Sequence, residues 1–225
     1  MTPDPELLIE TFPALRVYAD IVAHGFVGRV PGVDVCLPKA AVLDLLAPVH
    51  RAAVEYLGFS PADSFTAEQV HGADVALVTA ESPRHTPGVD GLMTNAPGLL
   101  LGIHVADCGP VFIVDPVRRA VALLHSGKHG SALGITGRAI WLMGDAFGSR
   151  PEDLVVQLGP CIRVPQYDVD FVAQILAGAV AAGVPAAQVH DCGTCTALHP
   201  DIYYSYRREM GKTGRLLALL GLRGI

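Results

Sequence analysis

The chain has 225 residues, 51% of them hydrophobic and 17% charged, with a net charge of −6. That composition excludes a disordered chain and suits one domain over residues 1–225. The acidic balance, with Lys and Arg scattered, gives no reason to expect a nucleic-acid partner. No apolar run reaches the roughly eighteen residues of a membrane span, and the acidic first ten residues do not read as a signal peptide, so no membrane partner and a cytoplasmic location are expected.

In chain order, residues 15–22 and 25–35 read as strands joined at His24-Gly25, with Pro31-Gly32 as a turn. Residues 39–57 carry apolar side chains at helical spacing (Val42, Leu45, Leu46, Val49, Ala53, Leu57), and Gly58 is placed to stop that helix. Arg51 lies late on it, where a cation is favourable on a solvated face. Residues 65–70 and 73–79 read as short strands broken at His71-Gly72. Residues 99–105 and 110–114 are rich in branched residues, Asp115-Pro116 marks a turn, and the apolar run 120–124 ends at His125. A hairpin of this kind sets Cys108 and His125 on one rim. Gly127 and Gly130 then lead through Ser131 into a helix over 132–147, leaving amides over residues 127–131 free to meet an anion. A strand over 154–158, a helix over 168–182 stopped at Gly183, and an aromatic and basic tail at 203–208 complete the pattern.

The five cysteines, 36, 108, 161, 192 and 195, are an odd number, against a disulfide framework. Cys192 and Cys195 have C-x-x-C spacing without a second pair, which leaves a redox pair or buried thiols. His71, Cys108 and His125 each sit beside or close to a glycine at a strand end or corner. Two imidazoles and a thiolate suit zinc, and three protein ligands leave a fourth position open, as catalytic sites require. Two other readings stand beside it. One is a Cys–His nucleophilic pair with Cys108 attacking and His125 as base; the other is structural histidines and a buried thiol.

Gln69-Val70-His71-Gly72, Ala106-Asp107-Cys108-Gly109-Pro110, His125-Ser126-Gly127-Lys128-His129-Gly130, Gly159-Pro160-Cys161-Ile162 and Ser205-Tyr206-Arg207-Arg208 with Thr213-Gly214-Arg215 follow one another in this order. In this the chain resembles, from about residue 20 onward, the YfiH-like family, also called the laccase-domain or multicopper polyphenol oxidase family and later purine nucleoside phosphorylase. The resemblance implies an α/β fold of α+β type, mixed β-sheets flanked by helices, similar to the cysteine-dependent toxin deamidases. It implies zinc on residues matching His71, Cys108 and His125, and an enzyme that cleaves purine nucleosides with phosphate and deaminates adenosine. A family helix arginine at the phosphate or substrate site has its match in Arg51, and a guanidinium can grip phosphate in two places. Lys128 is the other cation placed for phosphate.

The chain departs from the family pattern His-Ala-Gly-Trp-Arg-Gly at Ser126, Lys128 and His129, so an aromatic ring and an arginine are missing. The family's Ser-Leu-Asn-Leu segment is not recognisable around Cys36-Leu37-Pro38, and the asparagine before the helix arginine is His50. The laccase name implies several coppers, usually announced by His-x-His pairs, and the sequence has none; a lone copper in the zinc site would give only weak phenol oxidation in vitro. Editing of peptidoglycan precursors, an amide hydrolysis, is the alternative enzymatic reading. A non-enzymatic, zinc-stabilised binding module requires a fourth ligand, for which Cys161, His104 and His129 are the candidates.

Overall fold

The computed structural model describes residues 8–224. Residues 1–7, most of the acidic leading segment read against a signal peptide, lie outside the described residues. In chain order the elements are β1 (Ile9–Glu10), α1 (Pro13–Arg16), β2 (Val22–Val27), α2 (Lys39–Tyr56), β3 (Ser64–Ala67), β4 (Val75–Leu77), β5 (His85–Thr86), β6 (Gly91–Thr94), β7 (Leu100–Val105), β8 (Gly109–Asp115) and β9 (Ala120–Ser126). They continue with α3 (Lys128–Ala132), α4 (Ile135–Phe147), β10 (Val155–Leu158), α5 (Phe171–Ala181), β11 (Val189–Asp191) and β12 (Leu216–Leu222). The strands form two six-stranded mixed sheets, ordered β1-β2-β12-β7-β3-β5 and β11-β10-β8-β9-β6-β4.

Side-chain alternation along the strands explains how the sheets stack. Phe112 and Val114 of β8, with Val121 and Leu123 of β9, pack among Leu101, Ile103, Ala218 and Leu220 of the first sheet. The intervening Val111, Ile113, Ala122 and Leu124 pack instead against Ile135, Ala139 and Met143 of α4 and Ile175 of α5. In the first sheet Leu217 and Leu219 turn toward Ala53, Val54 and Leu57 at the end of α2. The layers are therefore α2, first sheet, second sheet, then α4 with α5. Strands buried on both faces read as continuous apolar runs, as β8, β9 and β12 do. Mixed sheets flanked by helices are what the family resemblance implied. No helix among the described residues is long and apolar enough to cross a membrane.

Four local expectations differ from the structure. Residues 15–22 are not a strand: Pro13, whose fixed φ suits a first helical position, opens the short α1, and a turn follows. His24-Gly25 is not a turn but the middle of β2, which ends at Val27 instead of reaching residue 35. Gly25 is small there because a Cβ would stand 2.7 Å from the Ile9 side chain. The helix expected over 132–147 is two helices, α3 starting earlier at Lys128 and α4 starting at Ile135, broken where Gly134 adopts φ +75°. α5 begins at Phe171 instead of 168, because the Asp170 side chain accepts from the Ala173 amide and caps the helix.

Candidate metal centre and its cavity

The chain crosses from the first sheet to the second twice near the site. His71 lies on the β3–β4 connection, and Cys108 on the three-residue crossing from β7 to β8. His125 is in β9, where it pairs with Pro110 of β8. The expected hairpin thus brings Cys108 and His125 to one rim, and the β3–β4 loop adds His71. Ligand atoms of His71, Cys108 and His125 lie within 4.8 Å of one another. The two imidazole rings meet edge to face, with centroids 4.9 Å apart.

The groups that hold this cluster in place were not singled out by the sequence. Asp90, fully buried, accepts hydrogen bonds from the backbone N–H groups of Val70 (3.1 Å), His71 (2.9 Å) and Gly72 (2.7 Å). This grip keeps His71 at φ 63°, a conformation uncommon outside glycine. The other Asp90 bond is to His125 Nδ1 at 2.7 Å. A carboxylate only accepts, so Nδ1 carries the proton and Nε2 is left for a ligand. Burial would raise the Asp90 carboxyl, but these donors hold it below the usual carboxylate range.

Asp107 plays the matching part for the thiol. It sits at φ 87°, with Oδ1 accepting from Thr196 Oγ1 at 2.6 Å and Oδ2 from the Arg207 amide at 2.7 Å, while its carbonyl accepts from Ile162 N–H. Gly127 explains its own identity, since a Cβ there would lie 2.5 Å from Cys108 Sγ. Burial would raise the Cys108 thiol, but His125 and His71 beside it bring it down to about 6. Burial would lower His125, but Asp90 and the Cys108 sulfur raise it to about 9. Without an ion, the cluster favours a thiolate against an imidazolium.

The cluster opens into a cavity of about 800 Å³. Lys128, His129, Tyr167, Phe171 and Tyr206 line it, as do Lys39, Gln69, His104 and Arg215. Gln69 clamps His104 by both backbone groups, donating to its carbonyl and accepting from its N–H. Arg51 is exposed on α2 and is not among the lining residues; its neighbour His50 is buried instead, its ring 5.4 Å from that of His104. Of the fourth-ligand candidates, His104 and His129 line the cavity but stand outside the ligand group, and so does buried Cys161. The centre therefore offers three side chains and an open side. Cys161, Cys192 and Cys195 are free thiols, the first two pushed up by burial. Cys161 and Cys195 face each other across an isolated bridge.

A family model described as multi-copper polyphenol oxidoreductase laccase matches residues 46–180 and 165–223. The chain belongs to this family. Within the laccase family it is 34% identical to a purine nucleoside phosphorylase of Deinococcus radiodurans, over 93% of each chain. It is 32% identical to the purine nucleoside phosphorylase YlmD of Geobacillus stearothermophilus, over 77% of each. The crystal structure of YlmD from the latter organism superposes with a TM-score of 0.83 at 26% identity, covering 98% of this chain and all (100%) of that one. A Bacillus licheniformis protein, YfiH, has the same fold, with a TM-score of 0.81 and 24% identity over 99% of this chain and 98% of that one. The multi-copper part of the laccase name finds one match among the described residues: a single group of three ligands.

Proposed function

We propose that the chain is a zinc-dependent purine nucleoside phosphorylase that also deaminates adenosine, with a nucleoside and phosphate as its small-molecule partners. The observation that carries this reading is the group of three candidate ligands, with no fourth side chain in it among the described residues, on the wall of a cavity sized for a nucleoside and an anion together. Likeness to relatives named purine nucleoside phosphorylases supports the choice of substrate.

His71, Cys108 and His125 fit zinc in donor type, and Asp90 supplies the carboxylate–histidine support that such ligands commonly have. The chemistry an ion there supplies when bound is Lewis acidity toward a substrate oxygen or nitrogen. In phosphorolysis a phosphate oxygen forms the new bond to the sugar carbon while the glycosidic pair leaves with the purine, which must receive a proton. Lys128 brings a cation to the cavity, and His129 and Tyr206 line it as unligated groups able to hold a proton. Tyr167 and Tyr206 put aromatic rings in the cavity lining where the family's usual tryptophan is missing.

A specific observation favours a second reading. Asp90, His125 and Cys108 form an orienter, base and nucleophile in series, with the thiol lowered and the imidazole raised. That is the arrangement of a Cys–His hydrolase, for which an amide, as in the deamidases or peptidoglycan-precursor editing, would be the substrate.

Zinc-loaded protein incubated with inosine, guanosine and adenosine, with and without phosphate, separates the two. Base release that requires phosphate is expected, together with inosine from adenosine in either buffer. Cys108→Ala and His71→Ala should each lose stoichiometric zinc, and full zinc content in both would refute the centre. Rapid alkylation of Cys108 in zinc-loaded protein, with nucleosides untouched, would favour the hydrolase.

A further inference from the structure

The chain is acidic overall, yet its cavity reverses the balance. Lys39, Lys128, Arg207 and Arg215 line it against one carboxylate, Asp107. Both Asp107 oxygens are taken, by Thr196 Oγ1 and the Arg207 amide, so no cavity cation is paired with it. Arg207 pairs with Asp168 and lies over the Tyr167 ring. Among the described residues Lys39, Lys128 and Arg215 take part in no ion pair.

Arg215 is the most constrained of these. It is half-buried, and its Nη1 donates to the carbonyls of Thr213 (3.2 Å) and Gly214 (2.7 Å), which fixes the guanidinium plane. Its other edge, Nε with Nη2, has no protein partner among the described residues. The same edge of Arg150 grips Asp153 at 2.9 and 3.2 Å, the two-point hold that a carboxylate or phosphate accepts. Arg215 directly precedes β12, whose Leu216 and Leu217 pair with Val105 and His104, so it stands at the strand end beside the Cys108 crossing.

Lys39 and Arg215 both act on His104. With burial and the facing His50, they hold its ring at about 3, so it is neutral and offers one N–H. Behind it, His50 Nε2 is buried without a partner. A half-buried guanidinium held by two carbonyls, with a lysine and a neutral imidazole lining the same cavity, leaves positive charge uncompensated until an anion arrives.

We propose that Arg215, with Lys39 and His104, forms a phosphoryl-binding subsite in the wall of this cavity. The cavity's reading as a phosphorylase site is the ground for the source of the phosphoryl group: free phosphate as co-substrate, with a phosphate ester on the substrate as the other source. The subsite itself is defined by its anion affinity.

The test is calorimetric titration of zinc-loaded protein with inorganic phosphate and, separately, with a purine nucleoside 5′-monophosphate. Arg215→Gln should weaken phosphate binding at least about tenfold, as expected for loss of a charge-assisted pair of hydrogen bonds. Arg215→Lys, which keeps the charge and loses the fork, should fall between, and Lys39→Gln should lose about threefold. Lys39 is exposed at the start of α2, so its variant carries the test if Arg215 variants fail to fold. Affinity that depends on Arg215 for the nucleotide alone supports the subsite with the ester as source. Unchanged affinity in both Arg215→Gln and Lys39→Gln overturns the assignment, as does no binding of either ligand by the unmodified chain, or a loss confined to Arg51→Ala. Because the readout is binding, Arg215-dependent phosphate binding without base release refutes the phosphorylase reading and leaves the subsite standing.

Discussion

At Asp90 a single buried carboxylate steadies two of the three candidate ligands, taking the His71 loop by three amides and the His125 ring by Nδ1. Asp90→Asn would turn one acceptor oxygen into an NH₂ facing those donors. Zinc affinity should then fall about ten- to a hundredfold, measured by competition with a chromophoric chelator; unchanged affinity would show that the carboxylate does not position the ligands. Gly127→Ala should likewise weaken zinc binding, because the new Cβ would press on Cys108 Sγ. The three candidates could be named from the sequence, as imidazoles and a thiol beside or close to glycines at strand ends or corners, with a Cys–His pair and structural groups left as other readings. The structure brings them into one cluster. Asp90 was not, because its partners are mostly backbone amides about twenty residues away, and every residue but proline carries one. The pair His50 and Arg51 shows a second limit. A helix turns about 100° per residue, so neighbours on it face different ways, and only the structure says that His50 is buried while Arg51 is exposed.

Among the elements, the β8–β9 hairpin was readable from branched, apolar runs on either side of Asp115-Pro116, and α2 from an unbroken apolar period of about 3.6. Where glycine interrupted a run it was misread in both directions: Gly25 as a turn when it is a close approach within β2, and Gly134 as helix interior when it breaks the helix. The join between α1 and β2 also carries a pH-sensitive contact. Phe12 N–H donates to His24 Nε2 at 2.8 Å, so that nitrogen must be unprotonated in the folded chain. Burial, then the nearby Arg16 charge, lowers His24 from 6.5 to about 4. A folded value below the unfolded one means that the unfolded chain binds the proton first. The contribution is therefore complete above about pH 6.5 and lost as pH falls toward 4, up to roughly 3 kcal/mol. His50, lowered to about 4 by burial, acts with the same sign. Denaturant unfolding between pH 7 and 4 should show this fall, with a shallower slope in His24→Gln. Equal slopes would contradict it.

On the scale of the whole molecule, two stacked sheets place the chemistry where the chain passes between them. The crossings β3–β4 and β7–β8 carry His71 and Cys108, β9 carries His125, and the strand end before β12 carries Arg215. The mixed, helix-flanked architecture was expected from the family resemblance, whereas the meeting of residues 39, 104, 128 and 215 around one cavity depends on sheet order, which spacing along a chain does not encode. The candidate metal centre, open to that cavity, is the basis of the phosphorylase reading. Phosphorus NMR of zinc-loaded protein with inosine and inorganic phosphate tests it most directly. The account predicts a sugar 1-phosphate resonance that grows in step with hypoxanthine and is absent in Cys108→Ala. Inosine left intact at saturating phosphate and zinc, or cleaved with no new phosphate ester, would contradict it.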